Sequence, residues 1–76
     1  MTENEVLERV SKVFKKVLET DEFNINMDIN NVIGWESLRQ ISLITELEKE
    51  FNISFDYTEI TEMTSVKNII EVISKH

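Results

Sequence analysis

Three neighbouring residues in this 76-residue chain have side chains and spacing suited to chemistry: Gly34, Trp35 and Ser37 in the stretch "NVIGWESLRQISLI". Gly34 is the only glycine and Trp35 the only tryptophan, and an apolar pattern of helical spacing begins directly after Ser37. A hydroxyl at the mouth of a helix has two uses. It can accept a hydrogen bond from a first-turn amide, and Ser37 with Gln40 fits the S-x-x-Q capping pattern. It can also be the point at which a group is attached. On pattern alone the cap is the commoner reading, with Gly34 supplying a backbone conformation that other residues avoid and Trp35 acting as a core lid.

Catalysis by the chain itself finds little support. The one histidine is His76, the last residue, where fraying is expected. Gly34-Trp35-Glu36-Ser37-Leu38 lacks the second glycine of a nucleophile elbow. A chain this short has little room for an enclosed pocket in which carboxylate pKa values could be shifted. Asn24, Asn26, Asp28 and Asn30 alternate in the manner of a calcium loop. Counted from Asn26, however, the glycine expected sixth is Asn31 and the bidentate glutamate expected twelfth is Ser37. No metal ligands are assigned.

The formal net charge is -7, and it is unevenly spread. Residues 1–20 carry four acids and four bases, whereas residues 21–76 carry eleven acids against four bases. Such a surface repels nucleic-acid phosphate and anionic membrane, and it favours partners that present a basic patch. With no cysteine, no disulfide or thiolate site is available. No secretion signal, long apolar run or lipidation motif is present, and a cytoplasmic monomer is expected.

Four helices must position Ser37. Val6, Leu7, Val10, Val13, Phe14, Val17 and Leu18 recur at spacings of three and four within residues 3–19, behind a Thr2/Glu5 capping pattern. Residues 20–36 form a long connection. A second helix over 37–51 gathers Ile41, Ile44, Leu47 and Phe51 on one face at about 100° per residue, with Leu38 off that stripe. Asp56 and Glu59 predict a short helix to Met63, and Ser65 opens a last one with Val66, Ile69, Ile70 and Ile73 inward and Val72 at the margin. The fold class is all-α: a small four-helix bundle of three longer helices and one short one, with a long loop between the first two, and residues 1–76 as a single domain. A small α+β domain ranks second. Phe23, Ile25, Met27 and Ile29 alternate with polar residues, as do Phe51, Ile53, Phe55 and Tyr57, and the two segments could pair as strands.

Ile33-Gly34-Trp35-Glu36-Ser37-Leu38 resembles the "(L/I)-G-x-D-S-L" signature of acyl carrier proteins, and in particular the subset reading "G-W-D-S-L". The resemblance continues through "LRQISLITELEKEFNISF", similar to that family's second helix, and "TSVKNIIEVISK", similar to its closing helix. Residues 3–19 agree only as a helix of the right length and pattern. The resemblance implies that Ser37 carries 4'-phosphopantetheine through a phosphodiester, with Gly34, Trp35, Glu36 and Leu38 around the attachment point. It implies a non-catalytic carrier of acyl or aminoacyl thioesters. A phosphopantetheinyl transferase would convert it, an acyl-activating ligase or acyltransferase would load it, and a downstream synthase or transferase would unload it. Leu38, Arg39, Ser42, Glu46 and Glu48 would be the docking residues.

The sequence also departs from the signature. The acid before the serine is Glu36 where aspartate is usual, Arg39 and Ser42 stand where acids are common, and Lys49 interrupts Glu46, Glu48 and Glu50. Because rim charges tune partner choice, a dedicated biosynthetic pathway is expected in preference to general fatty-acid synthesis. Glu46 and Glu50, four apart, should repel each other mildly, so added salt or magnesium should stabilise the fold. Should Ser37 merely cap its helix, the chain is instead an unmodified acidic interaction module, with a response to cations as its expected property.

Overall fold

The computed structural model describes residues 1–76. It contains four helices and no strand: α1 (Glu3–Leu18), α2 (Ser37–Phe51), α3 (Tyr57–Glu62) and α4 (Val66–Ser74). Each begins where a side chain satisfies orphaned first-turn amides. Thr2 Oγ1 accepts from the Glu5 amide at 3.2 Å, and its own hydroxyl donates to Glu5 Oε1. Asp56 and Glu59 form the full reciprocal capping box at α3, and Ser65 accepts from the Asn68 amide at α4.

α1 and α2 make the broadest helix–helix contact, and they run antiparallel, because the start of each meets the end of the other. Each helix lends an arginine to its neighbour's C-terminus. Arg9 of α1 donates through Nε to Glu50 Oε2 at 2.8 Å and through Nη2 to the Glu50 carbonyl, with its guanidinium 4.5 Å from the Phe51 ring centroid. Arg39 of α2 donates to the Val17 carbonyl at 2.9 Å and to Glu19 at 3.1 Å. Both arginines place positive charge on the carbonyl-rich, negative end of a helix dipole. Both helices close on a residue in the left-handed region, Glu19 and Asn52, each at φ 53°.

Eighteen buried residues, all apolar, form the core. Phe14 is its hub, meeting the Phe23 and Trp35 rings edge-on at 5.3 Å each. The inward stripe of α2 is Leu43, Ile44, Leu47 and Phe51. Ile41, expected inside, is 64% exposed, and Leu43 takes the central position. At about 100° per residue Ile41 lies roughly a quarter turn from the centre of that stripe. Leu7 on α1 is likewise exposed, while Val72 is buried rather than marginal.

The α+β alternative is not what forms. The connection over residues 19–36 lies across the core as an ordered loop, burying Met27, half-burying Phe23 and Ile29 and leaving Ile25 exposed. Its one bridge pairs Asp28 with Ser65, not with residues 51–57. The Ile29 amide donates to the Thr64 carbonyl at 2.9 Å, and the Val66 amide to Met27 at 3.0 Å. The alternating Asn and Asp side chains staple this loop. Asp28 Oδ1 accepts from the Asn30 and Asn31 amides, Asn31 Oδ1 accepts from the Asp28 amide, and Asn24 Oδ1 accepts from the Asn26 amide. These are local turn bonds that short polar side chains make readily. His76, expected at a frayed end, is in contact with the rest of the fold: its Nε2 lies 2.8 Å from Glu59 Oε2 and its ring meets Phe55 edge-on at 5.6 Å.

Ion pairs across α1 and α2 correct the expected repulsion between Glu46 and Glu50. Lys16 and Lys49 lie 3.3 and 3.4 Å from Glu46, and Arg9 and Lys12 lie 2.8 and 3.8 Å from Glu50. Hydrogen bonds from Lys16 and Lys49 hold the Glu46 carboxyl below its ordinary range. The hydrogen bond from Arg9 does the same for Glu50, against the opposing effect of desolvation. A carboxylate depressed in the folded state stabilises it above the unfolded pKa and loses that contribution as pH falls through the folded value. Melting temperature should therefore fall as pH drops below about 4.5. Glu50→Gln should cost about 1 kcal/mol or less at neutral pH and flatten part of that acid loss, as a pH series of thermal melts would read. Salt at this seam screens attraction, contrary to the stabilisation expected from the sequence.

Candidate functional site

The turn over residues 33–36 delivers the chain to α2. Gly34 has φ +94°, a conformation that side chains resist, and a Cβ built there would meet nothing within 4 Å. The glycine is therefore required by the backbone and not by crowding. Trp35 is 2% exposed, its ring edge against Phe14 and its indole N–H donating to Gln40 Oε1 at 2.7 Å. Expected near the cofactor, it has too little free surface for direct contact and instead anchors the turn from below.

Glu36 caps α2. Its carboxylate accepts from the Arg39 amide at 2.9 Å and, more weakly, from the Leu38 amide at 3.4 Å. Ser37 is the first helical residue, exposed, and takes part in none of the chain's side-chain hydrogen bonds. This overturns the capping reading of Ser37, and with it the premise of an unmodified module in which that serine serves only its helix. Gln40, the supposed partner in S-x-x-Q, is turned inward to Trp35 and to the Met63 carbonyl. A phosphodiester on Ser37 Oγ fits this arrangement, because the helix end is already satisfied by Glu36 and the hydroxyl is free. Glu36→Ala should therefore cost about 1 kcal/mol in a chemical-denaturation experiment.

The side chains expected to dock partners divide sharply. Leu38 is 73% exposed and Ser42 is also open. Arg39 is committed to the end of α1, and Glu46 to Lys16 and Lys49. Glu48 Oε2 accepts from the Phe55 amide at 2.9 Å and orders the α2–α3 connection. The run that reads as an acidic docking face is thus paired within the chain, at its surface. What α2 presents beside Ser37 is Leu38, Ile41, Ser42 and Thr45, all exposed and none charged. Ile41, expected inside, is a surface residue because the inward stripe of α2 is centred nearer Leu43.

No cavity encloses the serine. The two largest grooves, of about 540 and 520 Å³, lie between α1 and α4 near His76 and around the α1–α2 loop, and neither is lined by residues 34–42. His76, bound to Glu59, is no part of this site. The Ser37 hydroxyl is open to solvent, and no side chain of the protein is hydrogen-bonded to it.

The fold is thus a helical bundle with an exposed serine at the first position of its second helix. The sequence matches the phosphopantetheine attachment site family over residues 4–73, and the chain belongs to that family, whose cofactor is covalently attached 4'-phosphopantetheine. It is similar to the acyl carrier protein of Petrotoga mobilis, 25% identical over 99% of this chain and 91% of the relative. It is also similar to that of Guillardia theta, 26% identical over 99% of this chain and 95% of the relative. A solved structure from Mycobacterium tuberculosis, assigned as an acyl carrier protein, superposes with a TM-score of 0.84 at 25% identity, covering 92% of this chain and 96% of that one. No helix is long and apolar enough to cross a membrane.

Proposed function

We propose that Ser37 is the residue that carries 4'-phosphopantetheine and that the chain acts as a discrete, non-catalytic carrier of acyl or aminoacyl thioesters in the cytoplasm. The observation that carries this reading is the exposed Ser37 hydroxyl, released from capping by Glu36 at the first position of α2. In the conversion Ser37 Oγ attacks the phosphorus of coenzyme A that bears the pantetheine. A new P–O bond forms at the serine, the phosphoanhydride bond breaks, adenosine bisphosphate leaves, and a base of the phosphopantetheinyl transferase takes the serine proton. The chain supplies position only. When bound, the arm supplies a thiol on which cargo is held as a thioester, and the tether raises its effective concentration at each docked enzyme.

An acyl-activating ligase or acyltransferase loads the thiol and a downstream synthase or transferase consumes it. These enzymes read Leu38, Ile41 and Ser42, while Arg39, Glu46 and Glu48 serve the fold. Partners that need an acidic helix find no unpaired carboxylate on this face of α2, which supports a dedicated biosynthetic pathway over general fatty-acid synthesis. With a net charge of -7, neither nucleic acid nor membrane is a partner. Incubation with a broad-specificity phosphopantetheinyl transferase and coenzyme A should raise the intact mass by one phosphopantetheine. An unchanged mass with a transferase that converts a control carrier would refute the reading.

A further inference from the structure

Gln40 is the one polar side chain set into the inward stripe of α2, and both ends of its carboxamide are engaged. Oε1 accepts the Trp35 indole N–H at 2.7 Å and Nε2 donates to the Met63 carbonyl at 2.7 Å. Trp35 is 2% exposed, and Met63, the residue that closes α3, is wholly buried. One amide therefore joins three elements: α2 itself, the turn that precedes Ser37, and the end of α3.

The turn needs this hold. On its upstream side stands Gly34, at φ +94° with no atom within 4 Å of where its Cβ would be, and beside it Ile33 is fully exposed. Neither residue restrains the turn by packing. Its restraints are the Trp35 amide bonded to Val32 at 3.2 Å, the Glu36 cap, and the buried indole. Of these, only the indole is tied to a distant part of the chain. Ser37 follows the indole by two residues, so the orientation of Trp35 fixes how the first turn of α2 meets an incoming enzyme.

We infer that Gln40 is a positioning residue for modification at Ser37, setting the presentation of the serine by clamping Trp35 to the end of α3. The inference rests on the reading of Ser37 as the attachment residue. A nucleophile displaced by about 1 Å can lose on the order of a hundredfold in rate. The effect belongs in kcat, since Gln40 lies beneath the surface that a transferase touches.

The test compares wild type with Gln40→Leu, Gln40→Glu and Trp35→Phe in phosphopantetheine transfer, with kcat and KM for the carrier determined separately and circular dichroism reporting the fold. Gln40→Leu removes both bonds. Gln40→Glu keeps an acceptor for the indole but cannot donate to Met63 as a carboxylate. Trp35→Phe keeps an aromatic ring against Phe14 while removing the N–H together with part of the indole's volume, so, read beside its own stability, it carries the test if the leucine variant fails to fold. The folded variants should lose about tenfold or more in kcat with KM little changed. The Trp35→Phe/Gln40→Leu double variant should fall short of the sum of the single losses, because the indole–Gln40 bond is lost in each. Tryptophan emission of Gln40→Leu should move to longer wavelength. Folded variants with wild-type kcat, or a loss confined to KM, would overturn the role of Gln40. Failure of the wild-type chain to accept phosphopantetheine would overturn the attachment reading itself.

Discussion

Ser37→Ala is expected to abolish phosphopantetheine transfer completely while leaving the stability of the fold within about 0.5 kcal/mol of wild type. The two halves of that result come from different atoms. The loss follows from removing the only oxygen at position 37, for which Ser42 and Thr45, further along α2, offer no substitute at the helix mouth. The neutrality follows from Glu36, whose carboxylate holds the Arg39 and Leu38 amides whatever stands at position 37. A serine acting as the cap would behave otherwise, costing about 1 kcal/mol on replacement by alanine. Chemical denaturation beside intact mass separates the two. A stability loss near that size in Ser37→Ala would move the cap back to the serine and remove the structural reason for its free hydroxyl.

Trp35→Ala is the second large effect, and it acts on the fold. The indole stands edge-on to Phe14, the hub of the core, and its N–H is the partner of Gln40. Truncating a buried aromatic costs about 3–5 kcal/mol, and here an orphaned Gln40 acceptor is added. Stabilities of single domains start near 5 kcal/mol, and a chain of this size belongs at the low end. The expected drop in melting temperature is at least about 15 °C, with the substituted chain partly unfolded at 37 °C. A drop of only a few degrees would mean that the turn before α2 is held by its backbone and its glutamate cap alone. The same measurement bears on function, since a carrier that loses this turn loses the presentation of its serine.

Much of this architecture is legible in the sequence because it is written in local patterns. The start of α2 at Ser37, the Asp56–Glu59 capping box and the Ser65 cap all depend on residues within three or four positions of each other. The match of "IGWESL" to a carrier signature marks the residue proposed for attachment for the same reason. What the sequence conceals is pairing at long range. Arg39 reads as a surface charge beside the serine, yet its guanidinium closes a helix that ended twenty residues earlier. Glu46 and Glu50 read as mutually repelling, yet each is held by two cations, of which Lys16, Arg9 and Lys12 come from α1. Glu48 reads as part of a solvated face, yet it orders Phe55. Spacing within a helix reveals which residues share a side of it, but not what lies opposite. Ile41 illustrates the related error: with Gln40 discounted as polar, the inward stripe is centred too far toward Ile41, and Leu43 is overlooked.

The consequence for function is a docking face of unexpected character. Once every acid of α2 is assigned a partner within the chain, what that helix presents beside Ser37 is the apolar Leu38 and Ile41 with the hydroxyls of Ser42 and Thr45, and Glu36 is the carboxylate next to the serine. If partners dock there, as proposed, recognition would rest mainly on shape and apolar contact, and the association rate should depend less on salt than for a carrier whose second helix is openly acidic.

On the proposed function, phosphopantetheine attaches to Ser37 and nowhere else. Conversion of the wild-type chain with a transferase and coenzyme A, followed by proteolysis and tandem mass spectrometry of the peptide spanning residues 31–49, tests it most directly. One phosphopantetheine is expected, placed by the fragment series on Ser37 and absent from every other peptide. A modification mapped to Ser42 or Thr45, or none under conditions that convert a known carrier, would contradict it.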